Sequence, residues 1–215
     1  AYGKRQAVAL GVDRIEWARG DIFALAGFER RFDMIDCGVV LHHMREPMGG
    51  WRILRNLLKP GGVMKIGLYS ELARAEFVGP GAGLAAVAAA EEDLADRIRS
   101  YRHEIIALPD DAPLKRVLAL HDFYTLSECR DLLFHVKEHR FNLPEIARCL
   151  DALDLEFIGF EMHERAVIDR YRARFPDDPG AQNLENWHLF ETDNPHTFVA
   201  MYQFWVKPRD VPAAG

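Results

Sequence analysis

The chain has 215 residues, 49% of them hydrophobic and 28% charged, and a formal net charge of -6. That content suits one core of ordinary size, so a single domain with insertions is the simplest organisation and two independent domains are disfavoured. The acidic balance argues against a surface built to neutralise nucleic-acid phosphates, and the longest apolar stretch, around residues 83–90, is too short and too rich in alanine to span a bilayer.

Cys37, Cys129 and Cys149 are odd in number and lack CxxC spacing, so neither a disulfide framework nor a cysteine zinc site is indicated, and the chain reads as cytoplasmic. No basic-then-apolar leader opens it. Residues 1–10 have the pattern of a helix interior, with no capping residue and no strand before it, which predicts that the beginning of the domain is missing.

Residues 15–18 form a short β-rich run followed by Gly20-Asp21-Ile22, and residues 32–40 a longer apolar run of strand type. Pro47 sits where a helix begins, with Trp51, Leu54, Leu57 and Leu58 at helical spacing, and Lys59-Pro60-Gly61-Gly62 is expected to stop it. Residues 63–69 read as a third strand. Strand, helix and strand in this order, with near-continuous apolar strands, predict a parallel sheet covered on both faces. Such sheets bind ligands at the carboxyl ends of their strands, here Gly20-Asp21, Cys37-Gly38-Val39 and Tyr69-Ser70.

Residues 71–120 turn helical, interrupted by Gly79-Pro80-Gly81 and by residues 109–113, and read as a surface or lid insertion. A helix follows over residues 127–138, with Leu132, Leu133 and Val136 on its apolar side, then another over residues 143–153, capped by Asn142 and carrying Pro144 in its first turn. Residues 155–162 and 197–206 read as two strands. Residues 164–195 between them form a second insertion, helical over 165–175 before a break at 176–180. Alternating Phe198, Ala200, Tyr202 and Phe204 suit a packed sheet edge, so the aromatic tail with Trp187, Phe190 and Trp205 reads as core and not as a ligand cage. No internal repeat is visible.

Gly20-Asp21-Ile22, the run from Phe32-Asp33-Met34-Ile35-Asp36-Cys37 through Gly38-Val39-Val40-Leu41-His42-His43, and Leu57-Leu58-Lys59-Pro60-Gly61-Gly62 together resemble class I S-adenosylmethionine-dependent methyltransferases. The resemblance implies an α/β fold with a Rossmann-like sheet, partial because its first strands and glycine loop are missing, plus helical insertions and a C-terminal antiparallel strand pair. It implies S-adenosyl-L-methionine as cofactor, with Asp21 on the adenine amino group, Ile22 on the ring, and Cys37, Gly38 and Val39 supporting the methionine part. An aspartate oxygen can accept from an exocyclic amine, and an isoleucine offers a flat apolar contact, although Asp21 capping a turn is the plainer alternative. Asp122-Phe123-Tyr124-Thr125, the run from Cys129 to His139 and Met201-Tyr202-Gln203-Phe204-Trp205 are similar to a bacterial subgroup in which some members carry tetratricopeptide repeats ahead of the domain. The implied division is residues 1–70 for the remaining cofactor-binding core, 71–141 for the lid, and 142–215 for the last helix and two strands, with the insertion at 164–195. The glycine-rich loop and the acidic residue after the second strand are not found, since Gly11, Gly49-Gly50 and Gly61-Gly62 lack the required strand-to-helix order. The chain alone is therefore expected to bind the cofactor weakly or not at all, and its exposed sheet edges predict aggregation or partnering.

Methyl transfer is an in-line displacement that needs alignment and sometimes a base, but no covalent nucleophile. Position at strand ends selects His42 and His43, one of them as base or acceptor-orienting group, with Tyr69 and Ser70 nearby. The same histidines would also serve merely to cap the turn or line a pocket. Tyr124, Arg130 and His135 are candidate acceptor contacts, or alternatively a buried network holding the insertion together. His135 and His139 share a helical face, and Cys129 or His121 would complete a metal set, but the spacing is weak and the reaction needs none. The acceptor, a small molecule or a protein side chain, is not identified. A dehydrogenase would need a dinucleotide fingerprint, while a non-catalytic interaction module on the same scaffold remains the alternative of a different class.

Overall fold

The computed structural model describes residues 2–78, 94–133, 138–162 and 164–209. Its centre is a five-stranded sheet of β1 (Phe32–Cys37), β2 (Leu58–Ser70), β3 (Arg140–Phe141), β4 (Leu155–Phe160) and β5 (Met201–Pro208). The order is β1-β2-β5-β4, with β3 joining the end of β2. β1 and β3 run parallel to β2, and β5 is antiparallel to both β2 and β4. The described helices are α1 (Tyr2–Ala9), α2 (Pro47–Asn56), α3 (Glu71–Val78), α4 (Leu94–Ala107), α5 (Leu126–Leu133), α6 (Leu143–Ala152), α7 (Arg165–Arg174) and α8 (Leu184–Asp193), with several 3-10 turns.

The two-residue period of strands sorts side chains to opposite faces of this sheet. Met64, Ile66 and Leu68 of β2 stand beside Val206, Phe204 and Tyr202 of β5, and all six are fully buried. Trp51 and Leu54 of α2, Leu143, Ile146 and Leu150 of α6, Tyr171 of α7 and Trp187 and Phe190 of α8 join the same core. Pro47 starts α2 without losing a needed donor. Asn142 starts α6 through a reciprocal cap, its Oδ1 accepting from the Glu145 N–H at 2.9 Å while Glu145 accepts from the Asn142 N–H at 3.1 Å. The other sheet face, with Val63, Lys65, Gln203 and Trp205, is only half-buried among the described residues, so the expectation of equal cover on both faces is not met there.

Other expectations change in detail. Residues 15–18 form no strand; the Trp17 ring lies against Gly3 of α1 without a sheet neighbour. Lys59 to Gly62 does not simply stop a helix. It lies inside β2, where the register with β1 shifts between Phe32 and Met34 and Gly61 takes a positive φ of 74° that favours glycine. β5 starts at Met201 because Ala200 has φ 64°, and β5 is flanked by β2 and β4 instead of lying at an edge. Residues 184–193, read as insertion, form α8 and supply Trp187 to the main core. Ile98, Ile105, Val117, Phe123, Cys129 and Leu132 make a second, smaller cluster inside residues 94–133.

Candidate functional site

β1 ends at Cys37, and the chain passes through Gly38 and Val39 into a 3-10 turn at Leu41–His43. This exit runs so close over β2 that a side chain on Gly67 would overlap the Gly38 carbonyl. His42 is carried into the gap and fully buried, its Nδ1 3.2 Å from the Gly67 carbonyl oxygen. A carbonyl only accepts, so Nδ1 is the donor in this contact. The His42 ring centroid is 3.9 Å from that of Tyr69 and 4.3 Å from that of His43. From the far side of the lid, the His139 N–H donates to the His42 carbonyl at 2.8 Å.

His43 faces a groove of about 640 Å³ shared with Asp21, Ile22, Phe23, Val39 and Arg45. Asp21 caps the 3-10 turn Ile22–Leu25, Oδ1 accepting from the Phe23 N–H at 2.9 Å, and no described residue uses its second oxygen. Capping and ligand contact are therefore compatible at this one carboxylate. Ile22 is half-buried against the core. Cys37 and Gly38 do not line the groove; Cys37 is buried in the core, where burial pushes its thiol up to about 11, so at neutral pH it is uncharged and not a nucleophile. Ser70 caps α3, its Oγ accepting from the Ala73 N–H at 3.1 Å.

Around Tyr69 the lid returns to the sheet. Arg140 of β3 stands beside Tyr69 in register. The Arg74 guanidinium lies over the Tyr69 ring, 3.8 Å from its centroid, and forks onto Glu138 at 3.1 and 2.7 Å. The distant candidates behave differently. Tyr124 is exposed and donates to the Leu118 carbonyl at 2.9 Å, and Arg130 is exposed on α5; both belong to the segment that builds the second cluster and neither lines the groove. His135 lies outside the described residues. His121 sits with Asp122 and Glu128, ligand atoms within 4.8 Å of one another, but all three are exposed and Glu128 accepts from the Thr125 hydroxyl at the start of α5. Sequence reasoning missed Phe23, Arg45, Arg74 and Glu138. Phe23 continues the Asp21-Ile22 run and was within reach; an arginine in a mixed lid helix carries no local signal.

No described helix is long and apolar enough to cross a membrane. Residues 1–66, which hold every residue of the groove, match the family described as Methyltransferase domain. An uncharacterised protein from Synechococcus sp. is 29% identical over 191 residues, covering 83% of this chain and 44% of that protein. The fold is similar to that of PKMT2 from Rickettsia typhi. The structure of PKMT2 in complex with AdoHcy is 10% identical with TM-score 0.62, and a second PKMT2 structure is 12% identical with TM-score 0.64; each comparison covers 98% of this chain and 42% of that one. The chain thus spans less than half the length of these relatives. Over residues 1–66 the chain is thus similar to a methyltransferase domain, and its fold is similar to that of PKMT2.

Proposed function

We propose that the groove takes the adenine end of S-adenosyl-L-methionine and that the adjoining rim of β1 and β2 takes a methyl acceptor, either a small molecule or a protein side chain. The observation that carries this reading is the meeting, in one cavity, of Asp21, Ile22, Val39 and His43 from two separate stretches of chain. The residues fit the group: the unused Asp21 oxygen can accept from an amine, Ile22 and Phe23 offer apolar contact to a purine, and the cavity is large enough for it. AdoHcy in the related Rickettsia protein supports the same assignment.

When bound, the cofactor supplies an electrophilic methyl group on a sulfonium. The chain's own part is alignment and proton removal. With the cofactor in place, the chain would hold the acceptor in line with the methyl group and take up the acceptor's proton at an imidazole. His43 lines the groove and is the nearer base, reached by the acceptor only where its buried ring nitrogens become uncovered; His42, buried against Tyr69 and His43, orients it from behind. In the same reading residues 1–70 form the cofactor side, 71–141 the lid and 142–215 the remaining core, with 164–195 inserted. Contacts to the methionine and ribose require a glycine-rich loop that this sequence does not contain.

The test is calorimetric binding of S-adenosylhomocysteine to this chain and to a longer form that includes such a loop. The longer form is expected to bind, with affinity falling about tenfold in Asp21→Ala. Unchanged affinity in that variant removes Asp21 from the adenine contact, and no binding by either form favours an interaction module on the same scaffold.

A further inference from the structure

Arg74 lies in α3, a stretch to which sequence composition assigns no chemistry, yet its side chain is 1% exposed. A buried guanidinium is costly unless its donors are met. Here Nε and Nη2 hold both oxygens of Glu138, whose side chain is 8% exposed, and Nη2 also donates to the Leu132 carbonyl at 2.7 Å, while Nη1 meets no acceptor among the described residues. Leu132 lies in the last turn of α5, where carbonyls lack partners within the helix, so Arg74 closes the end of α5. Glu138 in turn accepts from Arg140 Nε at 2.7 Å, and Arg140 stands beside Tyr69 across the β2–β3 pairing. The contacts form a closed circuit: Arg74 to Glu138, Glu138 to Arg140, Arg140 to Tyr69, and Tyr69 back to Arg74.

The Tyr69 ring has the guanidinium 3.8 Å and the His42 ring 3.9 Å from its centroid. The guanidinium that anchors α5 and the site's imidazole thus both pack against this one ring. We infer that Arg74 is a positioning residue, locking the returning lid to the sheet rim and, through the Tyr69 ring, setting where the His42 imidazole stands. A lysine would supply charge without the fork or the flat face that the stack uses. Docking of the end of α5 at the rim and alignment of the imidazole then depend on one side chain, which couples the two. The inference rests on the reading of this rim as the methyl-transfer site.

The test uses this chain with 13C-labelled histidine, following the His42 Cε1–H resonance, which the Tyr69 ring current displaces; His42→Gln assigns the signal and Tyr69→Leu gives its position without the ring. In Arg74→Lys the signal is expected to move toward the Tyr69→Leu position, and amide exchange across residues 126–133 to quicken by about tenfold or more. Glu138→Gln keeps the shape but removes the charge and should move both readouts the same way by less. Far-ultraviolet dichroism checks folding, and if Arg74→Lys unfolds, Glu138→Gln alone decides. A His42 resonance that stays at its wild-type position in a folded variant, or α5 exchange that does not change, overturns the inference. Expected shifts without S-adenosylhomocysteine binding in the longer form would instead sink the methyl-transfer reading and leave the coupling in place.

Discussion

Residues 2–31 and the region from α6 to β5 use the same kinds of apolar side chain to opposite effect. In the first, Ala7 is the only buried residue, and Val8, Leu10, Trp17 and Phe28 are exposed. In the second, Leu143, Ile146, Tyr171, Trp187 and Phe204 disappear into one core. The difference is not in composition. Hydrophobic periodicity marks a face that can be buried, and only a partner surface at the right distance buries it. The candidate site lies on the seam, with Val39 and His43 on a strand-end loop anchored to the sheet and Asp21, Ile22 and Phe23 on a 3-10 turn that rests on α2 through Phe23 and Gly49. One wall of the groove is thus held by the main core and the other by a thin contact.

The contrast can be broken by mutation. Trp187 stacks on Tyr171 with centroids 4.0 Å apart and donates to the Ala181 carbonyl at 2.8 Å, so Trp187→Ala is expected to cost about 3–5 kcal/mol in urea denaturation. A loss below about 1 kcal/mol would mean that the packed half is looser than its burial implies. Next in size is Gly67→Ala, which drives a methyl group into the Gly38 backbone and should cost about 2–3 kcal/mol while displacing His42. Free tolerance of that change would show that the crossing of β1's exit over β2 is not as close as described. Smallest is Trp17→Ala, expected to stay within about 0.5 kcal/mol because the ring is half exposed and rests only on α1. A loss as large as that of Trp187→Ala would erase the distinction between the two regions.

Much of the site's skeleton was legible because its signals are local. Pro47, Asn142 and Pro144 mark helix starts through groups within one turn of themselves, and they mark them correctly. The run from Phe32 to Val40 identifies a strand, which ends three residues earlier at Cys37. The errors share a cause as well. Residues 15–18 carry β-forming side chains but gain no neighbour to pair with, and a strand is only as real as its partner. Lys59-Pro60-Gly61-Gly62 has the composition of a stop, and the parallel pairing with β1 draws it into β2 instead. Tyr124 and Arg130 stand in a polar stretch flanked by apolar residues, yet those apolar residues build the lid's own cluster and leave the polar ones outward.

By itself the sequence determined the class of fold, the motif order and that the ends of β1 and β2 lie at the sheet's carboxyl rim, because capping, turn chemistry and side-chain period act over a few residues. Only the tertiary structure decided that β5 lies between β2 and β4, that His43 lines the groove while His42 is buried against Tyr69, and that Arg74 reaches Glu138 across 64 positions of chain. Those outcomes depend on which distant surfaces meet, and close packing settles that for the whole core at once.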